Sequence, residues 1–195
     1  MEMEDCNNRA YVTLLSTDAY LMGVLLLNLM LKRVHSRYPL LVLCADSLSK
    51  ETLDILKKMH ITYRLLREHI SIEGVIQTDS NQAHWSSTFD KLYIWTLTEF
   101  NKIVYIDSDM QILTNIDDLF EFPHLSAVKA DVFNNPNVKG FNSGLMVICP
   151  NLTEFNGLKA LWMSGKLGKS SIGDQDVINE FYANRHIQGG AAIRI

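Results

Sequence analysis

The sequence contains few residues that could stabilise a fold covalently or interrupt its regular structure. Only 3 of the 195 residues are cysteine and only 4 are proline. The cysteines lie far apart and form no Cys-x-x-Cys pair, so neither a structural zinc site nor a disulfide framework is indicated. A chain of this length can bury about 70% of its unfolded surface as one domain without such help. We therefore expect a single domain over residues 1–195.

Long apolar runs and concentrated positive charge are also missing. The most apolar window, residues 21–31, is too short to cross a bilayer and contains Asn28, so no membrane span is expected. The net charge is −4 and the basic residues are scattered, which argues against a nucleic-acid partner. The N-terminus is acidic where a secretory signal would be basic. These features predict a cytoplasmic protein.

The first third of the chain alternates strand-like and helix-like segments. Strands are predicted at residues 11–15, 40–44 and 61–66. The first helix should be capped by Thr17 or Asp18 and should end near Arg33, and the second should be capped by Ser49. This βαβαβ order predicts an α/β fold with a mostly parallel sheet and helices on both faces, as in nucleotide-binding domains.

The rest of the chain is less regular. Residues 69–84 are polar and lack periodicity, which predicts a loop that could act as a lid, and a helix should follow over about 85–99. Beyond the next strand we expect a helical turn, two more strands and two helices. The helical turn should lie at 116–120, the strands near Ala127 and at 145–149, and the helices at about 152–165 and 174–184.

Two carboxylates follow an apolar run at residues 102–106 that has the length and β-branched content of a buried strand. Asp107 and Asp109 should therefore lie at the C-terminal end of that strand, where ligands bind in an open α/β sheet. Paired carboxylates there can hold a divalent cation that neutralises nucleotide phosphates. The spacing alone is weak, because a second Asp-x-Asp occurs at Asp174-Gln175-Asp176.

Six segments in order resemble the glycogenin-like members of glycosyltransferase family 8. They are Ala10-Tyr-Val-Thr-Leu with Asp18-Ala-Tyr20, Leu92-Tyr-Ile-Trp95, Val104-Tyr-Ile-Asp-Ser-Asp109, Asn115-Ile-Asp-Asp-Leu-Phe120, Phe141-Asn-Ser-Gly144 and Gly173-Asp-Gln175. The resemblance implies a GT-A fold, Rossmann-like, and the retaining transfer of a hexose from a UDP-sugar. It also implies Mn²⁺ (or Mg²⁺) as cofactor, and by analogy with glycogenin a homodimer.

On this resemblance, the matching residues would form the nucleotide side of a donor site. Uracil and ribose would be held at the first strand-to-helix turn by Leu14, Ser16, Thr17 and Tyr20. Ser108 would hydrogen-bond the ribose, while Asp107 and Asp109 would ligate the metal. Taken alone, the same residues would be an ordinary helix cap, a core tyrosine and an exposed turn.

The sugar side would involve Lys91, Asn142 and Ser143. Lys91 matches a family basic residue near the donor, where a positive charge suits the diphosphate or a sugar hydroxyl. Asn142 and Ser143, in a glycine-containing turn before the strand at 145–149, would offer amide and hydroxyl groups to the hexose. Without the resemblance, Lys91 would be a solvated helix lysine, and the other two would be ordinary turn residues.

Gly173, Asp174 and Gln175 are the remaining candidates. The resemblance makes Gly173 part of the donor site and Asp174 and Gln175 sugar-binding and catalytic residues, whereas Asp174 taken alone would be a helix N-cap. Retention can arise in two ways. Either a carboxylate or amide on the sugar's β-face assists a displacement, or the leaving phosphate deprotonates the acceptor in a same-face reaction. The sequence leaves both routes open.

The sequence also departs from the family. No counterpart is found for a histidine metal ligand or a Gly-x-x-Lys segment that binds diphosphate, so the chain looks C-terminally short. His186 follows Asp174 too closely to be that ligand, and Gln82 stands about where glycogenin has an arginine.

Three functions therefore stay open. The chain is an active transferase with an unknown glycan, protein or small-molecule acceptor, a catalytically impaired nucleotide-sugar-binding protein, or a scaffold of the same fold. A nucleotidylyltransferase is disfavoured because no glycine-rich phosphate loop opens the chain.

Overall fold

The computed structural model of the chain describes residues 8–66, 89–130, 140–165, 167 and 173–183. Its strands are β1 (Arg9–Leu15), β2 (Leu40–Cys44), β3 (Thr62–Leu65), β4 (Lys102–Ile106), β5 (Ser126–Lys129) and β6 (Phe141–Ile148). They form one sheet in the order β3-β2-β1-β4-β6-β5. β1 is parallel to β2 and β4, and β2 to β3, whereas β6 is antiparallel to both β4 and β5. The predicted mostly parallel α/β sheet is confirmed.

Helices cover both faces of this sheet, as expected. The α-helices are α1 (Leu21–Arg33), α2 (Lys50–Lys58), α3 (Leu152–Met163) and α4 (Asp174–Ala183). Side chains of α1 and α2 pack in one hydrophobic cluster, and those of α3 and α4 in another on the opposite face. None of the helices in the described ranges has the length and apolarity that crossing a bilayer requires.

The central strands are buried on both faces, which explains why they are apolar throughout. In β4, Ile103 and Tyr105 join the cluster that contains α3 and α4, while Val104 and Ile106 join the cluster that contains α1 and α2. Alternate side chains of a strand point to opposite faces, so both sets must be apolar. The strand ends where the first carboxylate, Asp107, leaves the core.

Two helix predictions were wrong in detail. A 3₁₀ turn, Asp18–Tyr20, precedes α1, and the helix has no side-chain cap. The carboxylate of Asp18 instead accepts a hydrogen bond from the backbone N–H of Ser49, 3.1 Å away. The described part of the predicted helix over 85–99 is a 3₁₀ helix, Phe89–Thr96. From Asp90 to Thr96, five side chains are buried and those of Tyr93 and Thr96 are half-buried, so an amphipathic period does not decide the geometry of this segment.

Other local predictions were confirmed. Ser49 caps α2, since its hydroxyl accepts a hydrogen bond from the N–H of Thr52. A 3₁₀ helix, Asp117–Glu121, forms the predicted helical turn. The loop at 69–84, Gln82 and His186 lie outside the described residues.

The carboxylate of Asp117 is buried and joins β1 to the segment before β2. Its Oδ1 accepts hydrogen bonds from the hydroxyls of Tyr11 (2.9 Å) and Ser36 (2.7 Å), and its Oδ2 from the N–H of Arg37 (2.9 Å). Burial is the largest single influence and by itself raises the pKa of Asp117, but these donors together outweigh it and lower the pKa. The Asn115–Phe120 motif therefore contributes a buried polar network to the fold.

We expect this network to make stability depend on pH. A carboxyl group with a lowered folded-state pKa stabilises the fold above its unfolded pKa, and that contribution is lost as pH falls. The free energy of unfolding, measured by urea denaturation, should therefore fall more steeply between about pH 5 and pH 2 in wild type than in Asp117→Asn. Asp118→Asn removes an exposed neighbouring carboxylate and should keep the wild-type slope. Equal slopes for wild type and Asp117→Asn would contradict this assignment.

Candidate functional site

A cavity of about 470 Å³ opens at the C-terminal ends of β1 and β4. Because β6 is antiparallel to β4, its first residues lie at the same edge of the sheet. The lining residues are Leu14, Ser16, Thr17, Tyr20, Lys91, Tyr105, Asp107, Ser108, Asp109, Asn142, Ser143, Gly144, Gly173, Asp174, Gln175 and Asp176. The structure thus brings every site residue predicted from sequence to one cavity. Tyr105, Gly144 and Asp176 were not predicted.

The turn between β1 and α1 forms one wall of this cavity. Ser16, Thr17 and Tyr20 line the cavity from this turn, and Leu14 lines it from the end of β1. Tyr20 is 48% exposed, so it is not the core tyrosine that its sequence position alone would suggest. An exposed aromatic ring beside a polar turn is suited to stacking against a planar ligand.

The ammonium group of Lys91 lies at the centre of the site. Its Nζ is 2.9 Å from Oδ2 of Asp174 and 3.1 Å from Oδ1 of Asp107. It also donates to the hydroxyl of Ser143 at 3.3 Å. The three N–H donors of the ammonium therefore each have an acceptor within the protein. With a side chain only 8% exposed, Lys91 is not a solvated helix lysine.

The two carboxylates also decide the charge state of Lys91. Burial is the largest single influence and by itself lowers the pKa of Lys91, because a charged amine is poorly solvated there. The charges of Asp174 and Asp107 together outweigh burial, and the pKa of Lys91 is raised. Lys91 therefore keeps its positive charge at physiological pH, close to both carboxylates.

Tyr105 orients the carboxylate of Asp107. The two residues lie two positions apart on the same face of the chain, and the phenol donates to Oδ1 of Asp107 at 2.6 Å. Burial, reinforced by the charge of Asp107, raises the pKa of Tyr105 well above its usual value, so the phenol stays a neutral donor. The sequence did not reveal this role, because a tyrosine within an apolar strand is ordinarily a core residue.

Asn142 and Ser143 lie within strand β6 and not in the turn that was expected. The strand begins at Phe141 because Phe141 and Asn142 pair with Lys129 and Val128 of β5. The carbonyl of Gly144 accepts the N–H of Asp107 at 2.8 Å, and this bond continues the pairing of β4 with β6 past Ile106. Asn142 and Ser143 are thereby held beside Asp107.

Asp174 is the first residue of α4, and its side chain faces the cavity. Its Oδ2 accepts hydrogen bonds from the Ser143 hydroxyl at 2.8 Å and from Lys91. Gln175 accepts the backbone N–H of Ser143 through Oε1 at 3.1 Å. The carboxylate of Asp174 is therefore bound by side chains of two other segments of the chain.

The comparisons with known proteins identify the family. The sequence model described as Glycosyl transferase family 8 matches residues 11–188. The chain belongs to glycosyl transferase family 8. It is similar to glycogenin-1 of Homo sapiens, with 31% identity over 177 residues that cover 91% of this chain and 49% of that protein. It is also similar to the putative UDP-glucuronate:xylan alpha-glucuronosyltransferase 5 of Arabidopsis thaliana, with 33% identity over 178 residues.

Solved structures show the fold. The apo-form glycosyltransferase GlyE of Streptococcus pneumoniae TIGR4 matches 96% of this chain with a TM-score of 0.67 at 20% identity. The predicted GT-A fold is confirmed. The match to the Arabidopsis protein covers 91% of this family 8 chain but only 29% of that protein, and the match to GlyE covers 45% of GlyE. The chain thus spans about half or less of the length of these relatives.

The two carboxylates predicted from the sequence to hold a metal, Asp107 and Asp109, both line the cavity. Within the described ranges, no group of three or more His, Cys, Asp or Glu side chains is arranged to hold a metal ion. Oδ1 of Asp107 is already engaged by Lys91 and Tyr105. Hard carboxylate oxygens suit Mg²⁺ or Mn²⁺ that takes its other ligands from phosphates and water. The donor set therefore fits a cation that arrives with a nucleotide.

Helix α1 packs tightly against the Asp107–Asp109 turn. A Cβ atom placed on Gly23 would lie 2.3 Å from the carbonyl oxygen of Ser108. Backbone atoms cannot yield as a flexible side chain can, so glycine is required for this close approach. Gly23 is thus a supporting residue that the sequence did not reveal.

We expect Gly23→Ala to lower the free energy of unfolding by about 1–3 kcal/mol, because the helix and the turn must separate. Urea denaturation would measure the loss. Met22→Ala, one position away on the same helix and 72% exposed, should change stability by less than about 0.5 kcal/mol. If both variants were equally stable, the close contact would carry no energetic cost and the packing argument would be wrong.

Removal of the buried cation should also be costly. Lys91→Met leaves Asp107 and Asp174 without their shared partner and should lower the free energy of unfolding by about 2 kcal/mol in metal-free buffer at neutral pH. Lys57→Met is the matched control, since its pair with Asp54 lies on the surface with side chains 62% and 44% exposed. That surface pair should contribute at most about 0.5 kcal/mol. Similar losses in the two variants would argue against a central role for Lys91.

Proposed function

We propose that this chain carries the donor site of a metal-dependent, retaining hexosyltransferase that uses a UDP-sugar. The observation that carries the proposal is the hydrogen-bonded cluster of Lys91, Asp107 and Asp174 in the cavity at the carboxyl ends of β1 and β4. Ligands of open α/β sheets bind at this edge. Membership of glycosyl transferase family 8 supports glycosyl transfer, and the Arabidopsis relative is named for UDP-glucuronate.

The nucleotide would bind against the turn between β1 and α1. We propose that the exposed ring of Tyr20 stacks on uracil, with Leu14 beside it. Ser16 and Thr17 offer hydroxyls and backbone N–H groups at the start of a helical segment, where anionic and polar groups are stabilised. Ser108, which lines the same cavity, would hydrogen-bond the ribose.

Asp107 and Asp109 would hold Mn²⁺ or Mg²⁺ together with the diphosphate. Such a cation, when bound, neutralises the negative charge that develops on the diphosphate leaving group. Tyr105 would keep Asp107 in the orientation that this requires, because its phenol donates to one carboxylate oxygen. Lys91 would add a fixed positive charge beside the same group.

The sugar would lie between β6 and the start of α4. Asn142, Ser143 and Gly173 would contact the hexose, and Asp174 and Gln175 would face the anomeric carbon. Lys91 and Ser143 both donate to Oδ2 of Asp174, so its carboxylate is held in a defined position. A carboxylate fixed in this way can stabilise positive charge that develops on the sugar ring.

In the same-face route, the bond from the anomeric carbon to the phosphate oxygen breaks and a bond to the acceptor hydroxyl oxygen forms. The hydroxyl proton passes to the leaving phosphate, so no general base of the protein is required. In the alternative route, Asp174 or Gln175 assists a displacement from the β-face. The acceptor, whether glycan, protein or small molecule, and assembly as a homodimer stay predictions.

The first test is titration of UDP with and without Mn²⁺. Wild type should bind UDP in a Mn²⁺-dependent manner, and Asp109→Ala should weaken this binding about tenfold or more, which corresponds to about 1.4 kcal/mol. Asp118→Ala, an exposed carboxylate on the Asp117–Glu121 helix, should bind as wild type does. Hydrolysis of UDP-glucose or UDP-galactose by wild type would then demonstrate catalysis.

The other functions predict different results. Mn²⁺-dependent UDP binding without hydrolysis would favour a catalytically impaired nucleotide-sugar-binding protein. If the chain bound UDP neither with nor without Mn²⁺, the proposed donor site would be wrong and the scaffold function would be favoured.

A further inference from the structure

We propose that Asn179 is a positioning residue for the sugar side of the donor site, and this inference rests on the proposed function. Asn179 lies on α4 beyond Asp174 and Gln175, and it does not line the cavity. It acts on the site through strand β6, which carries Asn142 and Ser143. Three features of the structure lead to this assignment: an irregularity in β6, the contacts of Asn179, and the separation of the two sides of the site.

Strand β6 is irregular where it enters the site. On β5, Ala127 pairs with Met146 and the next residue, Val128, pairs with Asn142, so residues 143–145 of β6 have no partner on β5. A bulge of this kind leaves backbone groups that need other partners. The N–H of Gly144 is bound by the side chain of Asn142 at 2.7 Å, and the N–H of Ser143 by Gln175.

Asn179 holds the start of the same strand by two opposed hydrogen bonds. Its Oδ1 accepts the N–H of Phe141 at 2.8 Å, and its Nδ2 donates to the carbonyl of Phe141 at 2.8 Å. The side-chain amide therefore occupies the place of a neighbouring strand's peptide group. The same Nδ2 donates to the carbonyl of Gln175 at 2.8 Å, which ties the contact to the first turn of α4.

The approach of Asn179 depends on the residue before Phe141. Gly140 has a φ of +117°, and a Cβ atom there would lie 2.6 Å from Oδ1 of Asn179. Only glycine combines this backbone conformation with this contact. Because Gly140 has no side chain, the amide of Asn179 can approach the backbone at the point where β6 begins.

These contacts link Asn179 indirectly to the cluster of Lys91, Asp107 and Asp174. Asn179 fixes Phe141, the strand then presents Ser143 to Asp174, and Asp174 completes the pair with Lys91. The nucleotide side, in contrast, is built on β1 and α1, and within the described ranges the side chain of Asn179 hydrogen-bonds Phe141 and Gln175 and not that side. Loss of Asn179 should therefore weaken binding of the sugar and leave binding of UDP intact.

The test compares UDP with UDP-glucose and UDP-galactose by calorimetric titration in the presence of Mn²⁺. Asn179→Asp keeps the shape of the side chain but turns a carboxylate oxygen toward the carbonyls of Phe141 and Gln175. Asn179→Ala removes the contact altogether. In both variants we expect the Kd for UDP to change less than about twofold. The Kd for whichever UDP-sugar the wild type binds should rise about tenfold.

Ile178→Val is the matched control for a purely structural effect. Ile178 is fully buried on α4, and the lost methylene should lower the temperature of thermal unfolding without removing any hydrogen bond of Asn179 to Phe141 or Gln175. This variant should bind UDP and UDP-sugar as wild type does, at a temperature where thermal unfolding shows every variant to be folded.

Three outcomes would overturn the assignment. Unchanged UDP-sugar affinity in both Asn179 variants, or an equal loss for UDP and UDP-sugar, would remove the positioning role while the donor site stands. A wild-type chain that binds UDP under no condition would instead overturn the proposed function, and this inference with it. If the Asn179 variants kept UDP binding and selectively lost affinity for the UDP-sugar, the result would support both the positioning role and the proposed function.

Discussion

The buried ammonium group of Lys91 is the interaction on which the site depends. It joins three segments that are distant in the sequence: the 3₁₀ helix Phe89–Thr96, the turn after β4 and the start of α4. Without the cation, Asp107 and Asp174 would bring two negative charges into one partly buried site, at a high electrostatic cost. With it, the two carboxylates are held close together and their hydrogen bonds to Tyr105 and Ser143 set their orientation.

The direction of one strand explains why these segments meet. Strand β6 is antiparallel in an otherwise parallel arrangement, so its first residues reach the sheet edge at which β1 and β4 end. A parallel β6 would place Asn142 and Ser143 at the opposite edge of the sheet. The bulge in β6 then frees backbone groups that α4 can bind, and it couples the helix to the strand.

The proposed donor site thus has two halves with different mechanical support. The nucleotide half rests on β1 and α1, where Gly23 allows the helix to contact the turn that carries Ser108. The sugar half rests on β6 and α4 and is held by side-chain hydrogen bonds from Gln175 and Asn179. Such a division allows substitutions to alter the sugar and the nucleotide contacts separately.

The α/β class, the first five elements and the location of Asp107 and Asp109 followed from the sequence, because local apolar periodicity and capping residues control these features. The resemblance carried by six ordered segments also indicated the residues predicted for the donor site, including Ser16, Thr17 and Lys91, which lie outside those segments. The roles of Tyr105, Gly23 and Asn179 appeared only in the folded chain. A strand tyrosine, a helix glycine and a helix asparagine are each ordinary in sequence. Gly23 and Asn179 contact backbone groups of distant segments, which leave no local pattern, and the hydrogen bond from Tyr105 to nearby Asp107 shows only in the side-chain geometry. The 3₁₀ helix at Phe89–Thr96 and the strand conformation of Asn142 and Ser143 were likewise decided by tertiary contacts. Most described side chains of the 3₁₀ helix are buried, Asn142 pairs with β5, and the N–H of Ser143 is bound by Gln175.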